Sequence, residues 1–388
     1  MPRMRQLLRG LVRGGEVSSV WMWSAASRAL LVGAVLAVAR LSGIGPERHP
    51  LADGTWWLDR FVFWDSYHLV RIAEQGYFAP GRTCCDQAWF PGFPMLVRGV
   101  ATLMGGSAVP AGLAVSWLAA VLSAVLLWAL VRDRSGPPAT ARRALWLYLA
   151  APFGVFFVAF YTESLWLVFA LLAWWAATRG RWWVAGIAAA AASAVRVNGL
   201  FLAAALAVMY IAHLKAQGRW SRPRLDAVAL ALPAIPVAAY VAWLHGRTGS
   251  WTAWHDAELL GWDRRTTMPW AAMAHQLHAI SSGGDFLRFT RTVDLVMVLG
   301  GLGMVLLAAW RRRWPEFAFL ALSVGVVATS PDYDSAGRYA LSWFPAYWLL
   351  AELGDRRGLR WLPRSLIVAE VALGMVITTL FAQRHWVA

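Results

Sequence analysis

The sequence predicts an all-α, polytopic membrane protein, and three observations carry that expectation. Of its 388 residues, 59% are hydrophobic and 15% charged, against about 45–50% and about 25% in an ordinary soluble domain. Mean hydropathy is +0.50. The apolar residues fall in runs of roughly 16–22, the length that crosses about 30 Å of hydrocarbon. Between the runs lie arginine clusters or Gly/Pro breaks.

Taken in order, the runs place spans at about 19–41, 109–131, 143–160, 162–178, 183–197, 198–214, 226–245, 293–310, 314–329, 338–353 and 363–382. That is about eleven spans in one integral-membrane domain, 1–388. The first run is longer than a signal-peptide core and has no A-x-A-like site after it, so an uncleaved span is expected. Pro152, Gly186, Pro233 and Pro236 fall inside the runs, where neighbouring helices or water can satisfy the freed backbone groups.

The net charge of +15 would point to nucleic acid in a soluble chain. Here the arginines sit beside the apolar runs, so nucleic acid is excluded as a partner and membrane lipid takes its place. With the N-terminus in the cytoplasm and spans alternating, every inside segment is basic. These carry Arg3/Arg5/Arg9/Arg13, Arg132/Arg134/Arg142/Arg143, Arg179/Arg181, Lys215/Arg219/Arg222/Arg224, Arg311/Arg312/Arg313 and Arg356/Arg357/Arg360/Arg364. That is the positive-inside pattern, and it predicts an N-in, C-out protein of the cell membrane. Two long extracytoplasmic loops follow, 42–108 and 246–292.

The same assignment gathers the polar residues on one face. Trp64–Pro94, Tyr161–Glu163, Arg196–Gly199, Trp251–Arg265 and Ser330–Tyr339 all fall outside. Few ionisable residues lie mid-span, which weighs against an alternating-access transporter. The two cysteines, Cys84 and Cys85, are neighbours, and a bond between neighbours is strained. No disulfide framework is expected, and no role is assigned to them. No His/Asp cluster has tight ligand spacing. Asp332 and Asp334 with Asp65 could hold Mg²⁺, but the reading expects no metal and no cofactor.

Asp65 is the residue that most needs a reason, because a charge near hydrocarbon is costly and usually functional. Phe61–Gly76 fits an amphipathic interfacial helix. Val62, Leu69, Ile72 and Ala73 share one side, and Asp65 and His68 share another at i,i+3 spacing. The Phe90–Pro94 string that follows, FPGFP, reads as a rigid return to the bilayer.

The string W-D-x-x-H-x-x-x-I-A-x-x-G-Y, followed by F-P-x-x-P, resembles the first luminal loop of the PIG-V family. These are GPI mannosyltransferase II-like enzymes of the GT-C superfamily, with bacterial relatives. The residues here are Trp64-Asp65, His68, Ile72-Ala73, Gly76-Tyr77, Phe90-Pro91 and Pro94. Tyr161-Thr162-Glu163-Ser164, Arg196 with Asn198-Gly199, and Arg338-Tyr339 before Phe344-Pro345 agree in order and spacing. The resemblance covers roughly Phe61–Leu353. Cys84-Cys85 departs from it, and the loop 246–292 carries no matching pattern, which leaves the acceptor open.

The resemblance implies a GT-C-type bundle, a polyprenyl-phosphate sugar donor, and a catalytic carboxylate in the first outer loop at Asp65. A lipid phosphate leaves readily, so the reaction needs chiefly a base for the acceptor hydroxyl. An inverting mannosyl transfer follows. A retaining enzyme needs a second carboxylate about 5–5.5 Å away, for which Glu74, Glu163 and Asp334 are possible.

Arg338 can clamp the donor phosphate by two parallel bonds or snorkel at the interface. Arg196 can do the same or pair with an acid inside the bundle. Asn198 can hold a sugar hydroxyl or cap a helix. His68 can orient Asp65 or meet the phosphate, and Glu163 can simply complement a helix dipole. Trp251, Trp254, His255 and Asp256 resemble a carbohydrate-stacking surface, although aromatic belts explain most tryptophans equally well. Lys215 is the sole lysine, and Ala, Arg, Gly and Trp are in surplus. That points to a GC-rich genome and to a cell-envelope glycolipid or glycan as acceptor. Rival readings are a lipid-linked-sugar flippase and a non-catalytic subunit of a glycosyltransferase complex.

Overall fold

The computed structural model describes residues 15–43, 55–79, 84–134, 137–218 and 224–387. The Arg3/Arg5/Arg9/Arg13 cluster, Arg219 and Arg222 lie outside the described residues. The helices are α1 (Gly15–Leu41), α2 (Asp65–Gln75), α3 (Gly92–Met104), α4 (Ala108–Arg134), α5 (Pro138–Leu149), α6 (Glu163–Thr178), α7 (Trp182–Val195) and α8 (Leu200–Ala216). They continue as α9 (Ala234–Thr248), α10 (Ala253–Trp262), α11 (Pro269–Ser282), α12 (Asp285–Trp310), α13 (Trp314–Ala328), α14 (Ala336–Ala340), α15 (Pro345–Leu353) and α16 (Leu362–Ala382). No strand occurs among the described residues.

Among the described residues, five helical segments are long and apolar enough to cross a membrane: α1, α4, α8 with the turn before it (Val197–Ala216), α12, and α16 with the turn before it (Arg357–Ala382). A sixth arises if Leu225–Ala231 and α9, bent by 45°, count as one span. The helices α3, α6, α7 and α13 are apolar but shorter. The expected eleven spans are therefore not reproduced as eleven long helices: the runs 162–178, 183–197 and 314–329 form unbroken but short helices, and in three others proline is the physical reason. It removes a backbone donor and clashes with the preceding turn. The run 143–160 breaks before Pro152: α5 ends at Leu149, and Gly154–Phe157 continues as a 3₁₀ turn. Pro233 marks the bend before α9. The run 338–353 divides into α14 and α15, with Pro345 opening the second piece. Irregular backbone at such depth is tolerated only when buried in protein, and Val155–Phe160 are indeed fully buried.

The core is aromatic. Trp174 meets Phe344 at 5.4 Å and Trp348 at 5.6 Å, and Phe344 meets Phe319 at 4.9 Å. The outward faces are apolar too: Leu30, Leu118, Leu306 and Val368 are exposed. Such a surface suits lipid and would be a liability in water. Buried ionisable groups were not anticipated within the long helices, and Asp294 of α12 is one. Arg28 of α1 is buried, with its guanidinium 4.9 Å from the Phe157 ring centroid and 5.2 Å from that of Tyr148. Glu370 lies within α16.

The two ends of the bundle differ in kind. At one end arginines pair along the rim: Arg134 with Glu316, Arg143 with Asp355, Arg179 with Asp133 and Arg313 with Glu352. At the other end the five polar segments come together.

Candidate functional site

The site begins at an irregular turn. Trp64 adopts φ +53°, a conformation that costs a non-glycine residue on the order of 1–3 kcal/mol. Its ring is fixed edge-on against Phe381 at 5.4 Å and Trp386 at 5.1 Å. The turn sets Asp65 as the first residue of α2, and Leu69, Ile72 and Ala73 bury the opposite side. FPGFP then starts α3. A Cβ on Gly92 would lie 2.5 Å from the Ala194 carbonyl oxygen, so glycine alone lets α3 meet α7 there.

Arg338 arrives by a parallel device. Ser335 has φ +68° and precedes α14. A Cβ on Gly337 would sit 2.1 Å from the Phe153 ring. The short helix is thereby pressed into the bundle, and its arginine is 4% exposed.

The charged groups form one chain. Arg338 Nη1 donates to Asp65 Oδ2 at 2.5 Å, and Arg338 Nε lies 3.5 Å from Glu163 Oε1. Arg196 Nη1 donates to that same Glu163 oxygen at 2.5 Å and to Thr162 Oγ1 at 3.2 Å. Asp65 and Glu163 are 5% and 3% exposed. Two carboxylates and two guanidiniums thus alternate in a buried, neutral row. Asp65 Oδ1 makes no hydrogen bond among the described residues.

Beside this row lies a cavity of about 410 Å³, within the usual range for small-ligand sites. Four of the five polar segments line it, through Asp65 with Trp89, Arg196 with Asn198, Trp254 with Glu258 and Arg264, and Ser335 with Arg338 and Tyr339. The fifth supplies Thr162 and Glu163 behind the arginines. Tyr339 presents its ring to three cations, Arg196 and Arg264, each 5.4 Å from its centroid, and Arg338 at 5.9 Å. Asn198 lines the cavity with a buried Oδ1 that has no hydrogen-bond partner. It does not cap α8, which starts at Leu200 without a side-chain cap.

Other expectations are corrected. His68 does not serve Asp65. Its Nδ1 lies 2.8 Å from Asp86 Oδ1, and Arg71 binds the same carboxylate at 2.7 Å. The imidazole packs on Trp89 at 6.1 Å and Trp262 at 5.5 Å, so it braces two cavity-wall rings. Glu74 is exposed at the far end of α2. Tyr77 is structural, its hydroxyl donating to the Trp89 carbonyl at 2.7 Å. Asp334 is held by Arg291 at 2.8 Å and does not line the cavity. Asp332 leans on the same arginine at 4.0 Å, so the acids weighed for Mg²⁺ are not gathered. Among the described residues no group of three His, Cys, Asp or Glu is placed to share a metal. Trp251 stacks on His245 away from the cavity, while Trp254 and His255 line it. Cys84 and Cys85 are joined to each other, where no bond was expected, with Cys85 packed on Gly261 of α10.

Three groups escaped the sequence. Asp86 follows the two cysteines and had no visible partner. Glu258 and Arg264 stand in the patternless second loop, where only their closeness to WTAWHD could have drawn notice. Burial pushes the Glu258 carboxyl up to about 6; Asp65 adds to the rise, while Arg264, Arg196 and Arg338 oppose it.

Residues 50–222 match the family described as Mannosyltransferase (PIG-V). GPI alpha-1,6-mannosyltransferase 2 of Cricetulus griseus is 34% identical over 167 residues, 41% of this chain and 32% of that protein. Its Homo sapiens counterpart is 30% identical over 168 residues, again 41% and 32%. GPI mannosyltransferase 2 of Yarrowia lipolytica is 30% identical over 143 residues, 37% of this chain and 38% of that one. The chain thus spans about a third of the length of these curated relatives. ArnT from Cupriavidus metallidurans, solved bound to undecaprenyl phosphate, superposes with a TM-score of 0.50 at 15% identity, covering 91% of this chain and 76% of that one. At such identity the likeness speaks to fold alone. Residues 50–222 thus match a mannosyltransferase family, within an all-helical bundle that shares its fold with ArnT.

Proposed function

We propose that the chain is a membrane glycosyltransferase that moves a mannosyl residue from polyprenyl-phosphate-mannose to a hydroxyl of an envelope glycolipid or glycan on the extracytoplasmic side. The observation that carries this reading is the Asp65–Arg338 pair at the cavity, with Asp65 inside the stretch matched to mannosyltransferases. Arg338 fixes one carboxylate oxygen and leaves Oδ1 for an incoming hydroxyl. That hydroxyl oxygen attacks the anomeric carbon as the bond from that carbon to the phosphate oxygen breaks. Its proton passes to Asp65 late in the step. The polyprenyl phosphate departs with the electron pair.

Arg196 and Arg264, which both line the cavity beside Tyr339, serve as counter-charges for that phosphate, and Arg338 keeps to Asp65. Asn198 offers its free acceptor to a sugar hydroxyl. With arginines supplying the positive charge, the step is read as metal-independent. Of the second carboxylates weighed for a retaining route, Glu74 is remote, Glu163 is taken up by two arginines and Asp334 by a third, which supports single displacement with inversion. The lipid bound to ArnT supports a lipid-linked donor. The arginine rim at the opposite end supports placing the cavity outside.

The test is Asp65→Asn. General-base catalysis is worth about 10²–10⁴-fold, so membranes holding normal amounts of the variant should lose at least about a hundredfold in transfer of labelled mannose. Near-wild-type transfer would refute the assignment.

A further inference from the structure

Helix α12 joins the two ends of the bundle. Near its start Arg291 pairs with Asp334 beside the site. Arg311 follows its last turn, twenty residues on and about 30 Å away at 1.5 Å per residue. There a second cavity opens, about 870 Å³ in volume. Its wall carries Arg134, Arg311, Arg313 and Arg356 against two carboxylates, Glu352 and Asp355, with Trp310 beside them.

The charges do not balance. Glu316 engages Arg134, and Arg143 takes up Asp355. Glu352 alone serves both Arg311, at 3.3 Å, and Arg313, at 2.9 Å. Arg356 meets no carboxylate among the described residues and lies 5.5 Å over the Trp310 ring. Arg311 Nε is buried without a hydrogen-bond partner. Burial first, and then the charge of Arg356, pull the Arg311 guanidinium below its ordinary value. Three guanidiniums held around one carboxylate call for a further anion.

The setting identifies the kind of anion. Trp310 and Leu306 are each 69% exposed and Trp314 is 50% exposed. Tryptophans at helix ends mark the headgroup level of a bilayer. Basic pockets between membrane helices at that level take lipid phosphates. We propose that this cavity binds the phosphate headgroup of an anionic membrane lipid, with its acyl chains running down α12 past Leu306.

Thermal unfolding of the purified full chain in neutral detergent, titrated with phosphatidylglycerol, tests this. Saturable stabilisation is expected, with phosphatidylcholine giving none. Arg356→Ala should weaken the apparent affinity about fivefold. Arg356 is exposed and makes no ion pair, so its loss does not challenge folding. Arg360→Ala, exposed but outside the cavity, should leave the affinity unchanged. Equal weakening by both variants would mean diffuse surface charge and would overturn the site. Equal stabilisation by glycerol 3-phosphate would overturn the lipid. Transfer activity does not enter the readout, so failure here leaves the mannosyltransferase reading standing.

Discussion

The two ends of the bundle use the same chemistry, arginine against carboxylate, to different effect. At the rim end Arg134 holds a buried Glu316, while other pairs are more open: Arg143 and Asp355 are 22% and 37% exposed, and Arg179 and Asp133 are 24% and 42%. Pairs of that kind are worth about 0–1 kcal/mol. At the cavity end Arg338 and Asp65 are 5% and 7% exposed and come from positions 273 apart in the chain. Burying such charges costs several kcal/mol per ion, often more than their attraction returns. Stability therefore explains the rim and not the row. A buried row of this kind persists where the charges have a use.

Removing one arginine at each end, and one carboxylate of the cavity, should have effects of very different size. The largest effect is expected of Arg338→Met, which strands Asp65 as a buried carboxylate and leaves Glu163 to Arg196 alone. Breaking a buried pair costs about 3–5 kcal/mol, read as a steep fall in the unfolding midpoint in detergent, and a loss below about 1 kcal/mol would put the row in the same class as the rim.

An intermediate effect belongs to Glu258. Its carboxyl titrates near 6, so it is neutral below that pH and adds a negative charge to the cavity above it. Because the phosphate of an undecaprenyl phosphate probe also gains charge near pH 6, its affinity should fall relative to Glu258→Gln, by up to roughly tenfold from about pH 5 to about pH 7.5. An identical pH profile in that variant would assign the pH dependence elsewhere.

The smallest effect is expected of Arg313→Ala. Its guanidinium is 39% exposed and Glu352 keeps Arg311, so the unfolding free energy should change by about 1 kcal/mol at most.

Much of this was legible in the chain, and the gaps have physical causes. Asp65, Arg196 and Arg338 could be found because hydropathy places them at span ends on one side, and their neighbours carry a family pattern. The union of Asp65 with Arg338 could not, since helical spacing speaks only of near neighbours. That same locality made His68 look like the partner of Asp65, when Asp86 in the following turn holds it. Proline broke part of the expected pattern: a hydropathy window averages over Pro152 and Pro345, whereas the backbone breaks at them. Arg28 and Glu370 passed unnoticed because single charges barely lower the mean of a long apolar run. Glu258 and Arg264 were hidden for the opposite reason, lying in a polar loop where charges are ordinary.

Glu163 accepts from Arg196 and lies against Arg338 through the same oxygen. Asp65, Arg338, Glu163 and Arg196 therefore form one unit of inheritance. A charge lost at any of them unbalances the buried row, so no single step to a neutral side chain is benign. Across related chains the four are expected to be kept together or exchanged together. A natural sequence that keeps three and has lost the fourth should carry its replacement charge at a fifth position, and finding that position would reveal another wall of the cavity.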